Sequence, residues 1–250
     1  MTDNHIHIGQ YREIYYDPLE IIDIAMSSGI TGVAFSSTSS CIKNIKYSEV
    51  EKEIQQLLSQ TSYSSDTIKP YLWYVPDYIH QDVTLESAFS EVPYKGIKIH
   101  PYAQIWDFDN KQHGDALHSL FDFAGQNNIP VLIHTGHSGV DSANRFESFI
   151  KSYRQTQCIL AHCRPLDTII KMLQNHSNVY CDTAFVEKAD VRQLVDLGFR
   201  ERIVFGSDFP ITHYFKTYYP RSVEASRLSL KDQYAEDISG WESLLSGLSK

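Results

Sequence analysis

Short apolar runs alternate along the chain with longer stretches whose apolar residues recur at helical spacing. Short apolar runs separated by helix-length segments are typical of βαβ units, which build a parallel sheet. The pattern is weakest at residues 61–69, which are polar, and again after Phe209. It predicts eight strands, at residues 5–9, 32–37, 71–75, 96–100, 131–135, 158–162, 179–183 and 203–207.

The segments between these runs carry helix signals. Segment 18–29 has Asp17 in the position of an N-cap, and in segment 48–60 the residues Ser48 and Glu51 have capping-box spacing. Further helices are predicted at 115–127, 144–154, 166–174 and 188–197, and closing helices in the tail 232–248.

Eight strands with interleaved helices predict an α/β protein with the (β/α)₈ TIM-barrel fold. The chain has 250 residues, and such a barrel typically needs about 250. An open doubly wound sheet is the alternative, but no G-x-G-x-x-G follows any predicted strand. Because no linker or break in composition interrupts the chain, we expect residues 1–250 to form one (β/α)₈ domain with C-terminal closing helices.

Charge and composition narrow the class of protein. The net charge of −9 argues against nucleic acid as a partner, because phosphate binding requires a basic surface. No apolar run reaches the ~18 residues of a membrane span, and no signal-peptide pattern precedes His5. We expect a cytoplasmic protein that acts on a small molecule, and the sequence leaves open whether it forms a homo-oligomer.

The cysteines support a reducing compartment. They form no C-x-x-C pair, and three of the four lie in strand-like runs, which favours buried free thiols. They are Cys41, Cys158, Cys163 and Cys181.

Side chains that carry chemistry fall at the C-terminal ends of the predicted strands, where a barrel of this kind places its active site. Strand alternation puts His5 and His7 on one face, with Ile6 and Ile8 turned toward the outer helices. Two imidazoles so placed can converge on one Zn²⁺. The full set is His5, His7, Lys98, His100, His134, His162, Asp182 and Asp208.

A single strand histidine is more often a hydrogen-bonded core residue than a metal ligand. Agreement across several strand ends changes that balance, because a barrel interior with so many polar groups and no metal would be costly. Structural zinc prefers closed sites that are often rich in cysteine, so this set favours an open catalytic site. The predicted ligands of a divalent metal are His5, His7, His134, His162 and Asp208. The metal is expected to be Zn²⁺, with Mn²⁺ or Fe²⁺ as alternatives.

Five ordered segments resemble the amidohydrolase superfamily, and specifically its amidohydrolase-2 branch, which includes aminocarboxymuconate-semialdehyde decarboxylase-like proteins. An H-x-H motif alone is a weak signal, whereas the ordered set is specific. The resemblance implies a distorted (β/α)₈ barrel with one or two divalent ions. The segments are HIH at 5–7, GIKIHP at 96–101, HTG at 134–136, AHC at 161–163 and GSDFP at 206–210.

The resemblance also implies roles for these residues. His5, His7 and Asp208 would bind the first metal, and His134 would bind the same metal or a second one. His162 would bind a second metal, or would act as an acid or base on the reacting water.

Lys98 separates the one-metal and two-metal arrangements. Residues 96–100 are similar to the strand-four motif of urease, in which a carbamylated lysine bridges two metals. In mononuclear members the bridge is absent, and Lys98 would instead pair with Asp182 or with a substrate carboxylate. Both alternatives stay open on the sequence.

A catalytic metal would lower the pKa of bound water to about 7 and polarise a substrate carbonyl. Asp208 is the expected proton carrier, with His162 as the competing candidate and Lys98 as a further catalytic residue. We therefore expect hydrolysis of a small polar or anionic ester, lactone or amide.

Substrate contacts are expected from the rim of the barrel, where loops build the pocket. The loops 101–114 and 210–220 are rich in aromatic residues, although ordinary surface packing also explains that. His100 and Tyr102 are candidate substrate contacts. Arg164 is a candidate clamp for a carboxylate or phosphate, unless it pairs with a carboxylate at a helix start.

Three other functions remain open. Metal-dependent decarboxylation occurs in the same branch, and CO₂ release would identify it. A phosphoesterase or nuclease is another candidate, because related barrels process phosphoesters. The last alternative is a structural metal or a binding module without catalysis.

Overall fold

The computed structural model describes residues 1–136, 139–219 and 228–247, with side chains described up to residue 244. Within these residues the strands are β1 (Thr2–Tyr11), β2 (Ile14–Tyr16), β3 (Gly32–Ser37), β4 (Ile68–Trp73), β5 (Gly96–Ile99), β6 (Val131–His134), β7 (Cys158–Ala161), β8 (Val179–Asp182) and β9 (Ile203–Val204). The α-helices are α1 (Pro18–Ser27), α2 (Tyr47–Gln60), α3 (Pro76–Ile79), α4 (Leu85–Glu91), α5 (Lys111–Gln126), α6 (Glu147–Ser152), α7 (Leu166–Asn175), α8 (Lys188–Asp196), α9 (Ile211–Tyr218) and α10 (Leu230–Gly247).

The strands form one curled sheet in the order β2-β1-β3-β4-β5-β6-β7-β8-β9. Every pair from β1–β3 onward is parallel, and only the β1–β2 hairpin is antiparallel. The sheet closes where Ile6 bridges Phe209 in parallel, and the His7 N–H donates to the Phe209 carbonyl at 2.7 Å. Eight parallel strands, β1 and β3 to β9, therefore form the predicted (β/α)₈ barrel.

Strand alternation divides the apolar residues between two regions. Ile6, Ile8, Ile97 and Ile99 are fully buried and belong to the large core shared with the helices. A separate cluster fills the barrel interior, and it consists of Ala34, Tyr71, Leu132, Ile159 and Ala161. This interior cluster forms a floor below the strand ends, so that the polar residues collect above it.

Of the two predicted helix-capping signals, one is confirmed and one is wrong. Asp17 caps α1, because its carboxylate accepts the Glu20 N–H at 3.0 Å. The predicted capping box in α2 is wrong: the helix begins at Tyr47 after Lys46, so Ser48 already lies in the first turn and makes no cap.

Several element bounds also differ from the prediction. The third predicted strand begins at Ile68 and ends at Trp73, because the strand starts within the polar stretch that hid it. The hairpin strand β2 and the helices α3, α4 and α9 were not predicted. Segment 144–154 divides into a 3₁₀ turn and α6. Leu248, the last residue of the predicted tail helix, lies outside the described residues.

The described helices include none with the length and apolar character of a membrane span. Cys158, Cys163 and Cys181 are buried free thiols as predicted, whereas Cys41 is an exposed one.

Candidate metal centre

One cavity of about 400 Å³ opens at the C-terminal ends of the barrel strands. Most of the predicted site residues meet in it, although they come from five different strand ends. Its lining includes His5, His7, Lys98, His100, His134, His162, Arg164 and Asp208. Tyr102 is the exception: it is 72% exposed and is not among the lining residues.

Three donor atoms converge on one side of this cavity. His7 Nε2 lies 2.8 Å from Asp208 Oδ1, and His5 Nε2 lies 3.2 Å from His7 Nε2 and 3.5 Å from Asp208 Oδ1. Donor atoms that are each held ~2.0–2.2 Å from one Zn²⁺ lie about as far from one another as these three atoms do. This buried set therefore fits a divalent metal both in donor chemistry and in spacing.

The far nitrogen of each imidazole is also held in place. His5 Nδ1 lies 2.7 Å from Asp182 Oδ2, and His7 Nδ1 lies 3.3 Å from the Ser36 carbonyl. A metal-binding histidine usually donates its other N–H to a carboxylate or carbonyl, which fixes the tautomer and the ring orientation. Both rings thus have the surroundings of metal ligands, with Nε2 directed at the cavity.

Asp182 does not pair with Lys98 among the described residues. Its carboxylate accepts from His5 and from the main-chain N–H groups of His162, at 2.8 Å, and Ala184, at 3.1 Å, so its acceptor positions are occupied. Lys98 Nζ instead lies 2.9 Å from His5 Nε2. The lysine therefore stands beside the convergent set, where either a carbamate bridge or a substrate ion pair remains compatible with its position.

A second pair of imidazoles faces the same cavity. His162 Nδ1 lies 3.1 Å from the Ala184 carbonyl, to which it can donate, so that Nε2 presents a lone pair. That Nε2 lies 2.9 Å from His134 Nδ1. The predicted ligands thus form two groups, one of His5, His7 and Asp208, and one of His134 and His162.

The sequence profile of the amidohydrolase family matches residues 62–238, which is more than half of the chain. The chain belongs to the amidohydrolase family. The matched region of this amidohydrolase contains Lys98, His134, His162 and Asp208, whereas His5 and His7 precede it. Comparison with curated proteins finds no match.

Solved structures share the fold of this amidohydrolase at low sequence identity. A probable 2-pyrone-4,6-dicarboxylic acid hydrolase from Acinetobacter baumannii is 11% identical, with a TM-score of 0.61 over 98% of this chain and 91% of that one. IDCase from Metarhizium anisopliae is 12% identical, with a TM-score of 0.56 over 100% and 97% of the two chains. The phosphotriesterase homology protein from Escherichia coli is 13% identical, with a TM-score of 0.54 over 94% of each. At these identities the likeness shows the barrel and not the reaction.

His100 lies against the pair of His134 and His162, but it is poorly suited to bind a metal. Its ring stacks on that of His134 with 3.6 Å between centroids, and Asp141 Oδ2 lies 3.8 Å from His134 Nε2, so these three residues could group around an ion. However, His100 Nδ1 accepts the Ala103 N–H at 3.2 Å, which places the proton of the neutral ring on Nε2. His100 therefore offers a hydrogen-bond donor to the cavity rather than a lone pair.

The electrostatics of the site keep the imidazoles of His5, His134 and His162 neutral and the Asp208 carboxylate charged. Burial lowers the pKa of His162 to about 3 and also lowers the pKa values of His5 and His134 well below their usual range. Burial by itself raises the pKa of Asp208, but the nearby His5 and His7 outweigh it and hold that pKa well below its usual range. These are the protonation states in which side chains bind a metal.

Lys98 is the other titratable group at the centre of the site. Burial lowers the pKa of its ammonium to about 8, against the opposing effect of Asp208 and Asp182. More neutral amine is thus present near neutral pH than for an exposed lysine, and the neutral amine is the form that reacts with CO₂ to give a carbamate.

Backbone conformation concentrates strain at the same place. Asp208 has φ 55° and His162 has φ 72°, both in the left-handed region that side chains with a Cβ rarely adopt. Such strain persists only where surrounding contacts enforce it, and the Asp208 N–H is held by the His5 carbonyl at 2.7 Å. The turns after β7 and β9 therefore aim these two side chains into the cavity.

Arg164 borders the cavity next to Phe185, with 5.8 Å between its Cζ and the ring centroid. Its Nε is buried and has no hydrogen-bond partner in the described part of the chain. The alternative pairing with a helix-start carboxylate is not found among the ion pairs of the described residues.

The prediction that Tyr102 contacts the substrate finds no support, because its N–H is fixed to Asp141 Oδ1 at 2.9 Å while the side chain points to solvent. The sequence indicated the apolar walls of the cavity only in part. Trp73 was visible as an aromatic residue inside a predicted strand, and Ile211 and Phe215 lie in the aromatic segment 210–220, but no pattern marked Tyr11 or Phe185 as lining residues. These walls include Tyr11, Trp73, Phe185, Ile211 and Phe215.

Proposed function

We propose that this amidohydrolase hydrolyses a small anionic ester, lactone or amide, with a divalent cation held by His5, His7 and Asp208. The convergence of their three donor atoms within 3.5 Å, in an open cavity at the strand ends, carries the proposal. When bound, such a cation supplies Lewis-acid chemistry, since it polarises a carbonyl and makes water more acidic. Zn²⁺ suits a His–His–Asp set, and Mn²⁺ or Fe²⁺ are the alternatives.

Asp208 is the proposed proton carrier. Its low pKa keeps the carboxylate ionised at neutral pH, so it can accept a proton from attacking water and return it to the leaving group. His162 is the competing base, because its Nε2 presents a lone pair to the cavity and burial keeps the ring neutral.

The charge of the cavity supports an anionic substrate. Lys98 and Arg164 both line it, and Asp208 is the only acidic residue among the described lining residues. A volume of about 400 Å³ is at the small end of ligand pockets, which span ~300–1,000 Å³. The His100 Nε2–H and the Arg164 guanidinium would orient the substrate against the aromatic walls.

Lys98 and the second imidazole pair extend the proposal to one of two arrangements. With a carbamate on Lys98, His134 and His162 would hold a second ion. With an unmodified lysine, His134 would bind the single ion or orient water, and the ammonium would pair with the substrate anion. The mass of the intact protein, together with metal counting, distinguishes the two.

The proposed function is tested by a substrate panel on the zinc-loaded protein. The panel pairs small carboxylate-bearing lactones, esters and amides with neutral analogues of the same size, and it includes unsaturated carboxylic acids assayed for CO₂ release. We expect hydrolysis with preference for the anionic members, and no turnover by Asp208→Asn at unchanged fold when that variant is assayed with zinc in excess.

Two results would overturn parts of this proposal. CO₂ release without hydrolysis would replace hydrolysis by decarboxylation. Retained hydrolysis in zinc-loaded Asp208→Asn would remove Asp208 as the proton carrier.

A further inference from the structure

The three proposed ligands straddle the seam at which the barrel closes. His5 and His7 lie on β1, whereas Asp208 follows β9, which contains only two residues. The pairing of β1 with β3 also shifts register between Asp3 and Ile6, directly at the first ligand. The seam therefore needs contacts other than a regular strand ladder to hold the ligands in place.

Asp3 provides such contacts from below the cavity. Its side chain is fully buried, and Oδ1 accepts the His5 N–H at 3.1 Å and the Ser207 N–H at 3.1 Å. One carboxylate oxygen thus joins the main chain of a ligand on β1 to the residue that precedes Asp208.

The other oxygen of Asp3 is held by the C-terminal helix. Tyr234 on α10 donates its hydroxyl to Asp3 Oδ2 at 2.8 Å and is 1% exposed. Its ring also packs on Phe209, with 4.3 Å between centroids. Helix α10 is therefore linked to both neighbours of Asp208, to Phe209 directly and to Ser207 through Asp3.

We propose that Asp3 and Tyr234 form a positioning pair, in which Tyr234 orients the Asp3 carboxylate and Asp3 fixes the spacing of His5 and Asp208 across the seam. Neither side chain contacts the donor atoms, so the pair acts only through the main chain. This inference rests on the proposed metal site, and it makes metal affinity depend on a hydroxyl of the C-terminal helix.

The consequence of losing that hydroxyl follows from the burial of the carboxylate. Without it, Oδ2 loses the hydrogen bond from Tyr234 in a buried environment, and the carboxylate is held less firmly against the two N–H groups. Loss of groups that orient metal ligands typically lowers metal affinity by about 10- to 100-fold. We expect Tyr234→Phe to fall in that range for zinc.

The experiment compares Tyr234→Phe with Tyr16→Phe. Tyr16 is also buried, but its hydroxyl has no hydrogen-bond partner in the described part of the chain, so the same atom is removed without loss of a contact. Zinc dissociation constants are measured on the metal-free proteins by competition with a chelator, and urea unfolding reports their stability. Tyr234→Phe should bind zinc about 10- to 100-fold more weakly than wild type, and Tyr16→Phe should equal wild type.

A second variant gives an independent result. Asp3→Asn should weaken zinc binding at least as much, and adding Tyr234→Phe to it should cause little further loss, because the two groups act as one unit. Wild-type zinc affinity in Tyr234→Phe, even with lowered stability, would overturn the inference and leave a purely structural contact. Undiminished zinc binding by His7→Ala would instead show that the proposed metal site itself is wrong.

Discussion

Arg164 brings a permanent charge to the wall of the cavity, where its buried Nε has no acceptor in the described part of the chain. A substrate carboxylate in the cavity would pair with the Arg164 guanidinium. Hydrogen bonds to charged groups contribute about 1.5–3 kcal/mol, and about 1.4 kcal/mol corresponds to a factor of ten in affinity.

We therefore expect Arg164→Gln to raise KM for an anionic substrate by about 10- to 100-fold, with a small effect on a neutral analogue. Steady-state kinetics on both substrates measures this. Arg145→Gln is the control, because Arg145 is exposed and does not line the cavity. An equal increase in KM for the neutral analogue would contradict the proposed pairing of Arg164 with a substrate carboxylate.

At the scale of single residues, the sequence predicts the strand face on which a side chain lies better than it predicts the residue that the side chain contacts. Period-two alternation placed His5 and His7 together because that rule depends only on the strand itself. Ser36 and Tyr234, the partners of His7 and Asp3, come from other elements 29 and 231 residues away, and no local pattern records such contacts.

At the scale of elements, the turn after β9 has to bring Asp208 back beside His5. Gly206 lies in this turn, where a Cβ atom would approach the His5 Cβ to 2.8 Å and the Asp182 Cβ to 3.2 Å. Both neighbours belong to the ligand geometry, and neither atom is the flexible end of a side chain.

Gly206→Ala should therefore displace His5, lower stability by about 1–3 kcal/mol and weaken zinc binding. Gly114→Ala is the matched control, since a Cβ there meets nothing within 4 Å and the residue lies within α5. The control should be neutral or stabilising by up to about 1 kcal/mol. Isothermal titration and urea unfolding measure both effects, and wild-type zinc affinity in Gly206→Ala would refute the steric account.

The elements that could be predicted are those with strong periodic or capping signals. Strands β3, β5, β6, β7 and β8 agree with their apolar runs to within one residue, and α1 begins after its Asp17 cap. Helix α2 begins without a side-chain cap, so its start carried no recognisable signal. The β1–β2 hairpin has a non-glycine residue, Arg12, at φ 53° in its turn, which the sequence does not mark.

At the scale of the whole molecule, closure joins residues 4–7 to residues 205–209, about 200 positions apart in the sequence. The eight-strand pattern predicted a barrel, but the seam with its short β9, and the register shift of β1 against β3, emerged only in three dimensions. This closure supports the proposal that residues 1–250 act as one domain.

Several buried histidines make the metal-free barrel sensitive to acid. Burial lowers the pKa values of His5, His100, His134 and His162 in the folded protein. In the unfolded chain they protonate near pH 6.5. Below that pH the unfolded state binds more protons, so stability is fully present above about pH 6.5 and falls as the pH drops toward the folded pKa values.

Each such histidine contributes up to about 1.4 kcal/mol per pH unit, against a total stability of about 5–15 kcal/mol. We expect urea midpoints of the metal-free protein to fall steeply from pH 6.5 to pH 5, because the four histidines outweigh the opposing effect of Asp3, whose pKa burial raises to about 7. His100→Gln should reduce the slope of the unfolding free energy against pH by about 1.4 kcal/mol per pH unit. Constant midpoints down to pH 5 would contradict the neutral, buried imidazoles.

The central claim is a divalent ion held across the seam of the barrel. The most direct measurement is anomalous X-ray diffraction at the zinc edge from crystals of the zinc-loaded protein. The account predicts a peak about 2.0–2.2 Å from His5 Nε2, His7 Nε2 and the Asp208 carboxylate. No peak at these three residues, whether or not zinc binds elsewhere in the protein, would contradict it.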